Sequence, residues 1–350
     1  MKKYLLIIGL LAFLPQACLQ KKSLPATAST LPIGVNNDST RIRVIVDTDT
    51  NNELDDQHAL AYLLFNGNAF DLAGVTVNAT RNGGSIEGHF AEAERVMRLC
   101  GFGGDLPIYK GANSSFDTIR NQITNKVSFD GAQQAVHFII EQAKKPSDRK
   151  LVVIAVGKLT NLALALMIEP SIANRVRLVW LGSNYPEPGE YNLDNDTASV
   201  NYVLKTNVEF EIVTVRYGKP SGSDAVRITK AEVNRDMPGK GPTISIAVSG
   251  RHGGSFTTFG DYSVSLFEHI RYNGTPPSRA LFDMVAVAIV KNPDWGKKIQ
   301  IPGPKLINNR WMAQSKNPRM ITVWENFDKE KILADFYETM KHYQPVKIIK

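Results

Sequence analysis

The chain has 350 residues, enough to bury one large core or two modest ones, and its 43 % hydrophobic and 21 % charged residues exclude a disordered or fibrous protein. Lys and Arg outnumber Asp and Glu by 41 to 34, a formal net charge of +7. The basic residues are scattered with no run interleaved with aromatics, so the charge reads as a basic surface and no nucleic-acid tract is expected.

In chain order, Met1-Lys2-Lys3 is followed by an apolar run over 4–14 and then by Pro15-Gln16-Ala17-Cys18. This pattern predicts an export signal over 1–18, because the apolar run is too short for a permanent membrane helix. Ala17 before Cys18 resembles the processing site of a bacterial lipoprotein, whereas Pro15 and Gln16 depart from it. Lipid attachment at Cys18 and ordinary cleavage into the periplasm both stay open. Residues 19–40, rich in Lys, Ser, Thr, Pro and Asn, predict a tether, and 41–350 a single folded domain. Once Cys18 is assigned to processing, Cys100 has no partner for a disulfide, and its apolar helical stripe with Ile86, Phe90, Ala93 and Met97 predicts a buried structural thiol.

Short apolar, β-branched runs at 44–46, 72–77, 151–156, 176–181 and 210–215 predict buried strands. Helix-spaced apolar residues fall between them at 57–65, 86–99, 132–143, 161–167 and 198–204. The alternation predicts an α/β fold, an open, mostly parallel sheet with helices on both faces. Later segments predict helices at 256–270, 281–290 and 331–343 and a hairpin-like stretch at 311–324.

Ligands of open parallel sheets sit beyond the carboxyl ends of strands, so polar residues just after a strand are the first candidates. Asp47-Thr48-Asp49-Thr50-Asn51-Asn52-Glu53-Leu54-Asp55-Asp56 crowds five carboxylates between the first strand and the first helix. Such crowding is costly unless a cation neutralises it. The donors are all oxygens, which favours calcium or magnesium over zinc, and calcium is the expected ion. The plainer reading is that Asp55 and Asp56 only complement the helix dipole.

Three further segments join this loop: Val156-Gly157-Lys158-Leu159-Thr160-Asn161-Leu162-Ala163, Asn184 with Glu190-Tyr191-Asn192, and Leu281-Phe282-Asp283 ahead of an apolar helix. Singly, they read as an N-cap, a polar surface loop and a second N-cap. Together, in this order, they resemble the inosine-uridine-preferring nucleoside hydrolase family along most of the mature chain. The resemblance implies a calcium ion (Ca2+) held by Asp49, Asp56, Asp283 and the Thr160 carbonyl. It implies Asp49 as the general base for a water held by that ion, and Asp55, Asn184, Glu190 and Asn192 as the grip on the ribose hydroxyls. It also implies a small nucleoside or riboside as substrate, and self-association into a homo-oligomer.

The acidic loop departs from the family's pattern, being two residues longer, containing Glu53 and lacking the usual Pro-Gly. Phe282 stands where family members place a histidine thought to protonate the departing base, and a phenyl ring transfers no proton. His252, in Gly250-Arg251-His252-Gly253-Gly254, is a replacement candidate, weighed against a solvated loop histidine. His58 reads as packing or capping support, and Arg81 and Asn82, after the second strand, are within reach of the same end of the sheet. Two other functions compete: a periplasmic lipoprotein that binds nucleosides or glycans without turnover, and a haloacid dehalogenase-type phosphohydrolase. Asn51 counts against the second, which expects a threonine there.

Overall fold

Stretches in which Val, Ile and Leu stand side by side bury both faces of a strand, and such stretches build the centre of this molecule. The computed structural model describes residues 41–104, 106–125 and 132–349; the segments expected to be an export signal and a tether, 1–18 and 19–40, lie outside them. The first half alternates strands and helices, with two helices in succession before β4: β1 (Ile42–Thr48), α1 (Asp55–Leu64), β2 (Phe70–Val77), α2 (Ile86–Leu99), β3 (Ile108–Lys110), α3 (Phe116–Thr124), α4 (Ala132–Lys144), β4 (Leu151–Ala155), α5 (Thr160–Ile168) and β5 (Val176–Leu181). Then come α6 (Tyr191–Asn195), α7 (Thr197–Val203), β6 (Glu209–Val213), β7 (Arg227–Thr229), α8 (Lys230–Asp236), β8 (Val248–Ser249), β9 (Ser255–Phe256) and α9 (Phe259–Glu268). The chain closes with β10 (Ser278–Ala280), α10 (Phe282–Lys291), β11 (Lys297–Pro302), β12 (Lys305–Ile307), β13 (Arg310–Met312), β14 (Met320–Glu325), α11 (Lys329–Lys341) and β15 (Lys347–Ile348).

Nine strands form one sheet in the order β11-β14-β6-β5-β4-β1-β2-β15, with β3 also on β2. Only β11, against β14, runs antiparallel. Alternation along β1 sends Val44 and Val46 into the core on one face, with α1, α2, α9, α10 and α11, and Ile45 into the core on the other, with α3, α4, α5 and α7. The expected mostly parallel sheet with helices on both faces is therefore the observed one. Cys100 is a free, buried thiol whose pKa burial pushes up.

The strand order reverses between β1 and β4: the chain leaves β1 towards β2 on one side, and from β4 it continues through β5 and β6 on the other. This leaves a crevice beyond the carboxyl ends of β1 and β4, the place where such sheets receive ligands. The acidic loop after β1 and the turn 156–160 after β4 both open there.

The expected hairpin at 311–324 is corrected. The hairpin is β12 with β13, turning at Asn308 and Asn309, whose φ values of 49° and 58° are those a two-residue turn between twisted strands requires. Residues 320–325 pair instead with both β11 and β6 inside the main sheet.

His58 shows how α1 is fastened. It is fully buried, with Nδ1 2.6 Å from the Leu54 carbonyl and Nε2 2.7 Å from Ser263 Oγ on α9, among the rings of Phe259, Phe267 and Phe336. Burial pushes its pKa from 6.5 down to about 4. A histidine depressed in the fold contributes stability that is complete above its unfolded pKa and lost as the pH falls towards its folded one. Between pH 6.5 and about 4 this amounts to roughly 3 kcal/mol. Urea unfolding at steps of pH should show that loss in the wild type and a flatter profile in His58→Gln; parallel profiles would reject the assignment.

Candidate functional site

Two helices aim their amino termini into the crevice, and both begin with acid. Asp55 and Asp56 open α1, and Asp283 stands in the first turn of α10, which packs on α1. The partial positive charge of each helix end favours carboxylates there. Each of the three offers an oxygen, and these atoms lie within 4.8 Å of one another. Asp56 Oδ1 also accepts the Thr48 hydroxyl at 2.6 Å and the Asp49 main-chain N–H at 3.2 Å, which ties the cluster to the end of β1.

These three acids and Asp49 are 1–6 % exposed. Burial raises Asp55 to about 7 and Asp56 to about 6, with Asp56 also repelling Asp55. Asp49 and Asp283 are held well above the ordinary carboxylate range, first by burial and then by their acidic neighbours. An all-oxygen set of buried carboxylates that repel one another fits a hard divalent cation, so the residues present match the group that the sequence implied.

The cleft holds about 240 Å³ and its lining includes Asp49, Asp55, Asp56, Glu190, Asn192 and Asp283. Asp49 accepts the Thr80 hydroxyl on Oδ2, and its main-chain carbonyl meets His89 Nδ1 at 2.7 Å. Glu190 accepts the N–H groups of Ser183 (2.8 Å), Asn192 (3.0 Å) and Leu193 (3.0 Å), so it caps α6 while lining the cleft. Burial raises its pKa against those bonds. Asn192 donates through Nδ2 to the carbonyls of Val156 (2.8 Å) and Leu181 (3.1 Å). Of the other residues singled out in the sequence, Glu53, Asn82 and Phe282 also line the cleft.

Others sit elsewhere. Asp47 is fully buried behind the cleft, bonded to Thr76, Asn78 and Asn161, and burial raises it to about 7. Thr160 does not line the cleft. It begins α5, its hydroxyl donates to Asp196, and helical carbonyls point along the axis away from the strand ends. Val156, four residues earlier, lines the cleft instead, its carbonyl accepting from Asn192 Nδ2. Asn184 also falls outside the lining, its Oδ1 accepting the Tyr217 N–H at 3.2 Å. His252 is exposed and stacks on His269 at 4.5 Å, away from the cleft. Arg81 is exposed, with its guanidinium 4.8 Å from the centre of the Tyr191 ring.

The sequence reading passed over several residues. Lys158 is 4 % exposed and donates to the Ser114 carbonyl at 2.9 Å; burial lowers it to about 8 against the pull of Asp196, Asp49 and Asp47. Its signal was a lysine inside an otherwise apolar strand-to-helix turn. His89 props the acidic loop from α2, and Tyr217, Arg227 and Arg279 complete the cleft wall. Gly157 has a stated reason to be glycine, since a Cβ there would lie 2.8–2.9 Å from the Asn78 amide and Asp49 Oδ1.

The inosine-uridine preferring nucleoside hydrolase family matches residues 44–338. Among solved structures, the inosine-uridine preferring nucleoside hydrolase of Bacillus anthracis is 19 % identical, with 86 % of this chain and 99 % of that one covered at a TM-score of 0.60. An inosine-guanosine nucleoside hydrolase is 16 % identical, covering 87 % of this chain and all of the other, at 0.65. An uncharacterized protein of Schizosaccharomyces pombe is 25 % identical over 228 residues, 58 % of this chain and 70 % of its own. The family match takes the place of the haloacid dehalogenase alternative. With the sheet, the crevice and the acidic cluster described above, it follows that the chain belongs to the inosine-uridine preferring nucleoside hydrolase family, hydrolases of N-glycosidic bonds.

Proposed function

We propose that the protein hydrolyses the N-glycosidic bond of a ribonucleoside or related riboside, with calcium at the buried carboxylates and Asp49 as general base. The observation that carries this reading is the gathering of Asp49, Asp55, Asp56 and Asp283 with Glu190 and Asn192 on one cleft. Asp49, Asp56 and Asp283 would hold the ion, with Val156, which lines the cleft, offering a carbonyl where Thr160 was expected to. Calcium, when bound, supplies the charge that neutralises the cluster and polarises a water.

Asp49, fixed by the Thr80 hydroxyl, takes the proton of the attacking water. Glu190 and Asn192, already locked by main-chain partners, and Asp55 orient the sugar hydroxyls without reorganising. Export under the signal at 1–18, with the domain held by a lipid on Cys18 or released into the periplasm, belongs to the same proposal, as does homo-oligomer formation. Phe282, which moves no proton, favours a second reading in which the cleft binds ribosides without turnover.

The deciding experiment incubates the mature protein with purine and pyrimidine ribonucleosides, with calcium or with a chelator, and assays reducing sugar. Sugar release that needs calcium is expected. Riboside binding without release would favour the second reading.

A further inference from the structure

The part of the cleft wall that the carboxylates do not form includes Tyr217, Arg227, Asn273, Arg279 and Phe282. Arg279 is 9 % exposed. Its Nη2 pairs with Glu53, and its guanidinium lies 5.9 Å from the centre of the Phe282 ring. Phe282 meets the Tyr217 ring edge-on at 5.7 Å and 90°. The buried Nε of Arg279 has no hydrogen-bond partner among the described residues. An unmet buried donor is costly and a guanidinium can only donate, so Arg279, which lines the cleft, keeps donor capacity that the described residues do not meet. Of the carboxylates nearby, Glu53 pairs with Arg279 itself, Asp283 of the acidic cluster acts on it electrostatically, and Asp224 is held by Arg227 and the Gly218 N–H.

Resting on the riboside reading above, we propose that Arg279 is a catalytic residue that holds the leaving group as it departs as an anion, in place of an acid that would protonate it. The bond from the anomeric carbon to the leaving atom breaks, and its electron pair goes to the leaving group. The water oxygen bonds to that carbon and its proton passes to Asp49. Arg279 stabilises the anion by hydrogen bonding, and the anion takes a proton from solvent after release, as Asp49 gives one up. The ribosides selected are those whose leaving group is acidic and rich in acceptors. Leaving groups that depart well only when protonated, such as adenine, are poor substrates.

The test compares wild type, Arg279→Gln and Arg279→Lys, as calcium-loaded mature protein, on xanthosine, adenosine and 4-nitrophenyl riboside. Affinity for free xanthine and adenine is measured by calorimetry at mildly alkaline pH. Arg279→Gln should lose about 100-fold in kcat on xanthosine, the cost of removing a preorganised donor, and less than about tenfold on 4-nitrophenyl riboside, whose anion needs little help. Its affinity for xanthine should fall at least about tenfold, with adenine unchanged, and Arg279→Lys should recover part of both losses. An equal loss on every riboside would mark a structural role and overturn the inference, as would unchanged xanthine affinity. Failure of the wild type to release sugar from any riboside, 4-nitrophenyl riboside included, would instead remove the riboside reading.

Discussion

Asp49→Asn should lower kcat by at least about a thousandfold while leaving the fold intact, the loss expected when a positioned general base is removed. The amide keeps the size and the acceptor oxygen that meets the Thr80 hydroxyl, but it cannot take a proton from water at neutral pH. Asp49 is 1 % exposed, so no solvent carboxylate or buffer base substitutes for it directly. Steady-state kinetics beside far-ultraviolet circular dichroism checks the result. A variant that keeps more than about a tenth of wild-type turnover would assign the proton to another group, and Glu190, raised by its own burial, would be the next to test.

Chelation should destabilise the protein strongly at pH 8 and weakly at pH 5. The folded-state pKa values of Asp55, about 7, and Asp56, about 6, lie above the ordinary 3.8, and those of Asp49 and Asp283 well above it. A carboxyl raised in the fold favours folding fully only below its unfolded pKa, and that favour is lost as the pH rises through the folded value. Without an ion, the buried cluster therefore opposes folding increasingly from about pH 4 to pH 7. A bound cation offsets the repulsion once the carboxylates have ionised, so its stabilisation appears in the same window. A chelator should lower Tm by about 10 °C at pH 8, equivalent to a few kcal/mol, and by much less at pH 5. Equal melting curves with calcium and with chelator at pH 8 would mean that the carboxylates share protons instead of an ion. Asp283→Asn should flatten the chelator effect.

These two results bear on different parts of the same cleft. Loss of turnover in Asp49→Asn without loss of the calcium-dependent melting shift would separate the base from the ion. The reverse pattern would make Asp49 chiefly a ligand.

The strands at the centre of the sheet were legible in the sequence because burial on both faces leaves an unbroken apolar run, as at 151–156 and 176–181, that surface segments do not share. The acidic loop was legible too, since five carboxylates within ten residues after a buried strand demand an explanation from electrostatics alone. Its family resemblance placed Asp283, Glu190 and Asn192, which the structure brings to the same cleft. Main-chain and loop geometry was not legible. Thr160 and Val156 are four residues apart, and only the start of α5 decides which of them faces the crevice. Asn184 turns to Tyr217, and His252 to His269, because of contacts with residues far along the chain.

Of the wall made by Tyr217, Arg227, Arg279 and Phe282, only Phe282 carried a signal in the sequence. The other three are unremarkable among their neighbours in the chain, and the wall exists only where the turn after β6, the paired strands β7 and β10 and the start of α10 meet. Sequence by itself determined the layers and the charge at the heart of the cleft, because burial and repulsion act over a few residues. Tertiary structure alone decided what stands opposite the carboxylates, because that surface is assembled from segments that touch only after folding.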